Sequence, residues 1–285
     1  MRGAPETMSV LRPRTPAEAV RLFGRHPEAL PLAGGTDFMV GWNAGLLNGR
    51  TVLDVSPLRA WQRIRRTRAG LVIGALVTHA QLRDDKRVCD AFPLLAQSAA
   101  VIGAAAIQNR GTLGGNIANA SPAGDTFPPL AVYDAVVLTV SPGGERRTRF
   151  LNVFEGPKAT TLRSAELIEA VELPFLPRRP TRQLFRKVGT RAAQALSKTV
   201  AAGLLWLDRK GRVEELRFAL GAMAPTVRRL RTTEAFVAGQ RLTPETVDRA
   251  VELLAEDVAP IDDVRSTAAY RLAVSRALLR GFLQG

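Results

Sequence analysis

The sequence predicts a mixed chain, α/β in its first part and α+β in its second. A two-part α/β unit presents loops to a ligand, and an α+β domain with an antiparallel sheet and helices follows. Three observations predict this. Short apolar runs at 31–33 and 51–55 flank a Gly-Gly turn, as buried parallel strands delivering their ends to a ligand do. A β-branched run, 135–140, and an alternating one, 167–173, mark a second sheet further on. Past the stretch 174–180, which holds three prolines and two arginines, β-like and helical segments alternate, a pattern that suits an antiparallel sheet with helices on one side. The expected boundaries are 1–56, 57–175 and 180–285.

In chain order, 1–7 lacks an apolar core and reads as a loose arm. Thr15, Pro16 and Glu18 form the N-cap, N1 and N3 positions of a first helix. The runs 64–68 and 71–74, joined through Ala69-Gly70, predict a hairpin. Thr78 caps a helix through Arg83, and 93–104 reads as an amphipathic, Ala-rich helix. A short helix at 127–133 precedes the strand 135–140, which turns at 141–144 into 145–150. Strand 167–173 reads as half-buried and stops at Pro174. Beyond the linker the expected strands are 184–188, 201–207 and 214–220, and the expected helices 192–199, 231–238, 244–255 and 267–282.

Composition narrows the function. With 285 residues, 46% of them hydrophobic, the chain can build two or three modest cores. No run of about 18 apolar residues is present, so no membrane span is expected and the chain reads as cytoplasmic. A single cysteine, Cys89, excludes an internal disulfide and any iron–sulfur or zinc site built from this chain alone; a packed thiol is its expected role. The two histidines, His26 and His79, lack metal-ligand spacing, and His79 reads either as a cofactor neighbour or as a surface or capping residue. The net charge of +14 is spread over many arginines without an aromatic platform, which argues against nucleic acid and for docking on acidic partners or steering anionic cofactors.

The chemistry concentrates in 109–125, Asn-Arg-Gly-Thr-Leu-Gly-Gly-Asn-Ile-Ala-Asn-Ala-Ser-Pro-Ala-Gly-Asp. Glycines there would let consecutive N–H groups form an anion-holding nest, with Thr112, Asn116, Asn119 and Ser121 as neutral donors and Asp125 as an acceptor for a sugar hydroxyl. Taken alone, the stretch fits a tight turn between buried strands equally well. A second stretch, Leu32-Ala33-Gly34-Gly35-Thr36-Asp37-Phe38-Met39, repeats Gly-Gly-Thr between apolar runs. Two such nests suit two adjacent phosphates, yet neither is a Walker A loop nor a G-x-G-x-x-G. No nucleophile elbow, Cys/His pair or carboxylate dyad supports hydrolytic chemistry.

Ala33-Gly34-Gly35-Thr36-Asp37 together with 107–125 resembles the FAD-binding subunit of the molybdenum hydroxylases, the family of xanthine dehydrogenases and of the medium subunit of aerobic carbon monoxide dehydrogenases. The resemblance runs over nearly the whole chain. It implies a two-part FAD-binding fold of the PCMH type, with 32–39 wrapping the pyrophosphate and Thr112, Gly115, Asn116 and Asn119 facing it. Asp125 would contact a ribityl or ribose hydroxyl, and Asp37 would cap a following turn. It implies Ile168 near the isoalloxazine ring and Arg186 or Lys187 as a cation at its N1/C2=O edge, the choice left open by one position. Arg265 and Tyr270 would brace the domain interface. The implied partners are a small [2Fe–2S] subunit and a large molybdopterin subunit, with NAD+ or another acceptor as electron sink; no nucleic acid and no membrane enter. Two other readings remain open, a self-sufficient FAD-dependent oxidase or reductase of the same fold, and a non-catalytic nucleotide-binding assembly module.

Overall fold

The computed structural model describes residues 3–191 and 194–285. The N-terminal unit is β1 (Ser9–Leu11), α1 (Pro16–Arg25), β2 (Leu30–Leu32), α2 (Phe38–Asn43) and β3 (Thr51–Asp54), with an all-parallel sheet in the order β1-β3-β2. Thr15 caps α1 by accepting from the Glu18 N–H, with Pro16 at N1, as expected. Ala19, Phe23 and Leu53 are buried here and meet Trp61, Leu76 and Leu167 of the next unit. The expected loose arm is tethered within its described residues. Pro5–Thr7 forms a 3-10 turn, and Asn48 and Gly49 hydrogen-bond Ala4 and Thr7.

The middle unit is built on an antiparallel sheet in the order β4-β5-β10-β6-β7: β4 (Ile64–Arg66), β5 (Gly70–Gly74), β6 (Val136–Ser141), β7 (Gly144–Arg149) and β10 (Leu167–Pro174), with the small ribbon β8 (Phe154–Gly156) and β9 (Ala159–Thr160) apart. The β4–β5 hairpin exists, but Arg66 faces Leu71, so its two-residue loop is Arg68-Ala69 and not Ala69-Gly70. Gly70 belongs to the strand, where a Cβ would lie 2.0 Å from the Leu173 carbonyl. β10 lies at the centre of the sheet, paired on both sides, rather than half-buried.

Between β5 and β6 run α3 (His79–Asp84), α4 (Lys86–Ala91), α5 (Pro93–Val101), α6 (Ala105–Arg110), α7 (Leu113–Asn119) and α8 (Phe127–Val132). Thr78 and Gln81 form a complete capping box on α3. Cys89 sits on α4 and donates to the Arg83 carbonyl at 3.2 Å. The helix expected over 93–104 ends at Val101 and is not amphipathic. Leu94, Leu95, Ala96, Ser98 and Ala99 are all buried, because α5 lies between α3 and the C-terminal sheet.

The C-terminal unit has an antiparallel sheet in the order β11 (Arg182–Val188), β12 (Thr199–Leu207), β13 (Val213–Gly221), β14 (Arg228–Arg229), with α9 (Arg231–Val237), α10 (Pro244–Asp257) and α11 (Ala268–Gln284). Strand alternation explains how it docks. On β12, Ala201 and Leu205 enter the core shared with α10 and α11, whereas Ala202, Leu204 and Trp206 enter the core of the middle unit. Arg217 and Arg229 then reach from this sheet to the end of α8, pairing with Asp134 and donating to the Val132 and Ala131 carbonyls. The helix expected over 192–199 is absent from its described residues: 194–198 is irregular and Thr199 opens β12, while Ala192 and Ala193 lie outside the described residues. Arg265 and Tyr270 do not brace the domain interface. Arg265 pairs with neighbouring Asp263, and Tyr270 is partly exposed under the Lys198 ammonium. Buried Arg271 ties Asp263 to the Ala222 carbonyl instead.

Candidate functional site

A cavity of 660 Å³ lies between the N-terminal and middle units. Leu32, Ala33, Gly34, Gly35, Thr36, Asp37 and Phe38 line one side, and Thr112, Gly115, Asn116 and Asn119 line the other. The structure thus brings together both glycine segments. Met39 is 48% exposed and outside the lining.

The two segments differ in kind. Residues 33–37 form a true turn, with Gly35 at φ +81°, where an L side chain is strained. The N–H groups of Gly34 through Phe38 meet no acceptor among the described residues, so they remain available as donors. Gly34 sits against the other segment so closely that a Cβ would fall 1.9 Å from the Arg110 carbonyl oxygen. The segment 109–125, expected as a nest, is mostly helix. Thr112 is the N-cap of α7, its hydroxyl accepting from the Gly115 N–H at 3.1 Å. The N–H groups of Leu113, Gly114, Gly115 and Asn116 are all taken, by Val77, Ala75 and Thr112. Gly114 is needed for packing, since its Cβ would lie 2.6 Å from that of Ala75.

Asp37 makes no capping hydrogen bond on α2. It lies 3.5 Å from the Lys158 ammonium, which also donates to the Asn119 amide oxygen. Sequence reasoning missed Lys158. Its signal was rarity: it is one of five lysines among 40 basic residues. It stands at the β8–β9 turn with φ 59° and bridges both sides of the cavity mouth.

Asp125, Ile168, Arg186 and Lys187 do not line the cavity. Ile168 is a core residue of β10, 7% exposed. Arg186 and Lys187 are neighbours on β11 and so point to opposite faces. Arg186 is exposed, while the Lys187 ammonium is buried against Asp125 at 2.6 Å, and Ser197 donates to the other carboxylate oxygen at 2.6 Å. Burial pushes the Asp125 carboxyl up; Lys187 and Ser197 oppose that rise. This pair lies directly behind the cavity wall, because Lys187 also donates to the Val101 carbonyl next to the lining residue Ile102, and Asn116 accepts from Thr126, next to Asp125.

His79 is neither a surface nor a capping residue. It is 2% exposed, lines the cavity, and burial lowers its pKa to about 4, so it is neutral near pH 7.

Comparison with known proteins identifies the family. Residues 6–176 match the family model described as the FAD binding domain in molybdopterin dehydrogenase, and 184–285 match the CO dehydrogenase flavoprotein C-terminal domain. The chain is 30% identical over 270 residues to the xanthine dehydrogenase FAD-binding subunit of Escherichia coli O157:H7, covering 94% of this chain and 92% of that one. It is 28% identical over 275 residues to the glyceraldehyde dehydrogenase medium chain of Sulfolobus acidocaldarius, covering 96% of each. Among solved structures, carbon monoxide dehydrogenase from Hydrogenophaga pseudoflava superposes with a TM-score of 0.90 at 26% identity, covering 97% of this chain and 96% of that one. This chain belongs to the FAD-binding medium-subunit family of the molybdenum hydroxylases, with FAD as its cofactor.

Proposed function

We propose that the chain is the electron-relay subunit of a heteromeric molybdenum hydroxylase of xanthine dehydrogenase type. A small partner subunit with [2Fe–2S] clusters delivers electrons, a large molybdopterin subunit oxidises the substrate, and NAD+ or another acceptor drains them. When bound, FAD supplies a ring that takes up electrons singly or in pairs. The observation that carries the reading is the row of free N–H groups from Gly34 to Phe38 lining a cavity closed by Thr112, Gly115, Asn116 and Asn119. Such a row suits a diphosphate without a lysine in the loop.

The chain's own groups divide the work. Loop 32–38 binds the pyrophosphate, with Met39 following outside the wall. Asn116 and Asn119 orient it from α7, and Lys158 draws the mouth together, offsetting the negative charge that Asp37 brings beside the phosphates. Of the two cation candidates Lys187 is the inward one, and it holds positive charge beside Asp125, where it would stabilise a reduced isoalloxazine; Ile168, in the core strand β10, would lend apolar backing. Residue types here leave the oxidised substrate to the large subunit, and relatives with purine-, aldehyde- and CO-related names share this architecture.

The test is an absorption spectrum of the purified chain before and after incubation with FAD, together with co-expression of the partner subunits. Bands near about 375 and about 450 nm that survive gel filtration are expected. A chain that stays colourless both alone and with its partners would sink the assignment.

A further inference from the structure

We propose that His79 is a binding residue for the adenosine half of FAD, its imidazole hydrogen-bonding the adenine edge or the adjoining ribose. The inference rests on the cofactor reading above and adds to it a residue that the glycine segments do not contain.

The placement of His79 is fixed on several sides. Thr78 caps α3, so His79 is its first residue, and its N–H donates to the Gly111 carbonyl at 3.0 Å. Gly111 also lines the cavity, and the Cδ2–Nε2 side of the imidazole lies close to it: a Cβ at position 111 would sit 3.1 Å from Cδ2 and 3.5 Å from Nε2. A side chain there would push the ring away. The ring is 2% exposed, and Nδ1 is fully buried with no hydrogen-bond partner. Among the described residues nothing hydrogen-bonds the imidazole. Buried polar groups are almost always partnered; Nδ1 is enclosed, and the nitrogen left for a ligand is Nε2, which has no partner either and borders the cavity residue Gly111.

The chemistry selects the half of the ligand. A neutral imidazole carries one donor and one acceptor. A phosphate accepts only, and the free N–H groups of 34–38 already supply donors for it. An adenine edge or a ribose hydroxyl both donates and accepts, so it can meet the open imidazole nitrogen in either tautomer. Ile102 and Ile107 line the same cavity and offer apolar surface to a flat purine. The other cation and carboxylate of the site, Lys187 and Asp125, lie behind the wall rather than in the cavity. With Lys187 assigned to the isoalloxazine as above, the cavity serves as the nucleotide end.

The experiment titrates the full chain with FAD and with FMN, which lacks the adenosine half, by calorimetry. His79→Phe keeps an aromatic ring of similar size without hydrogen bonding, and His79→Gln restores a donor and an acceptor. FAD binding should weaken about tenfold in His79→Phe and recover in part in His79→Gln, with FMN binding unchanged. Equal loss of FAD and FMN, or unchanged FAD binding, overturns the proposal. A wild-type chain that binds no flavin overturns the cofactor reading first, so the two failures are distinct. Should the variants not fold, imidazole nitrogen NMR of the wild type decides. With only two histidines, the His79 signals are identified by their proximity to Gly111, and they should move on adding ADP; unmoved signals refute the contact.

Discussion

The glycine segments 33–37 and 109–125 share composition and converge on one cavity, yet glycine serves different ends in each. In the first it lets a strand end turn sharply, with φ +81° at Gly35, and leaves a row of N–H groups unused. In the second it lets α7 pack onto Ala75 while Val77, Ala75 and Thr112 take the N–H groups of its first turn. One segment keeps a row of N–H groups open at the cavity, the other packs as a helix and lines the cavity with side chains. A motif rich in Gly and Asn therefore does not define a phosphate loop until its N–H groups are followed to their acceptors.

The largest effect should come where the second segment is anchored. Removing one partner of the buried Lys187–Asp125 pair leaves an uncompensated charge, so Lys187→Met should cost about 3–5 kcal/mol in denaturant unfolding. The exposed neighbour gives the contrast: Arg186→Met should change stability by less than about 0.5 kcal/mol. Similar losses for both would mean that Asp125 does not tie the segment to the C-terminal sheet. Next comes Gly34→Ala. Its Cβ would overlap the Arg110 carbonyl at 1.9 Å, backbone against backbone, so the two segments must part. A loss of about 3 kcal/mol is expected, with FAD retention on gel filtration abolished. Retained flavin would show that the close approach is dispensable.

A smaller effect depends on pH. His79 titrates at 6.5 when unfolded and about 4 when folded, so the folded chain resists its protonation. Stability from this group is complete above about pH 6.5 and declines as pH falls toward 4, by about 1.4 kcal/mol per unit at most. His79→Gln should remove this limb from the unfolding curve. Glu166 adds a separate limb lower down. Burial pushes it up, but Arg146, the Arg163 N–H and Thr139 outweigh burial and hold it at about 2, so its contribution fades below about pH 4.5. Thr112→Val, which removes the cap of α7, should cost about 1 kcal/mol, and Thr112→Ser should restore it.

Much of this was legible in the sequence. Periodicity and caps located α1, α3, α10 and α11, and the apolar runs 31–33 and 51–55 located two of the three parallel strands. The side-chain roster of the cavity, Thr112, Gly115, Asn116 and Asn119, was legible too, since small and amide residues are dense in 109–125. Tertiary pairings were not. That α5 is buried on most sides follows from the C-terminal sheet lying against it, which no local pattern in 93–104 states. Lys187 could be told from Arg186 only once the pairing of β11 fixed which face turns inward. Lys158 and His79 were opaque for the same reason, as each acts across a gap of at least 32 residues in sequence, to Asn119 and to Gly111.

The finest test of the contrast is Gly115, which belongs to α7 yet faces the cavity. As a glycine in the first turn of α7 it should gain at most about 1 kcal/mol on becoming alanine. The new Cβ would sit 2.9 Å from the Thr112 hydroxyl oxygen, crowding the cap, which returns a loss of similar size. Stability should therefore change by less than about 1 kcal/mol, since the two terms offset. The same Cβ would stand 4.0 Å from that of Ala33, across the narrow part of the cavity, where it displaces ligand volume. Gly115→Ala should thus keep its unfolding midpoint while binding FAD several-fold more weakly, about fivefold by the scale on which 1.4 kcal/mol is tenfold. Unweakened binding with a gain in stability would place Gly115 with Gly114, as a packing glycine, and would leave the first segment alone to meet the phosphates.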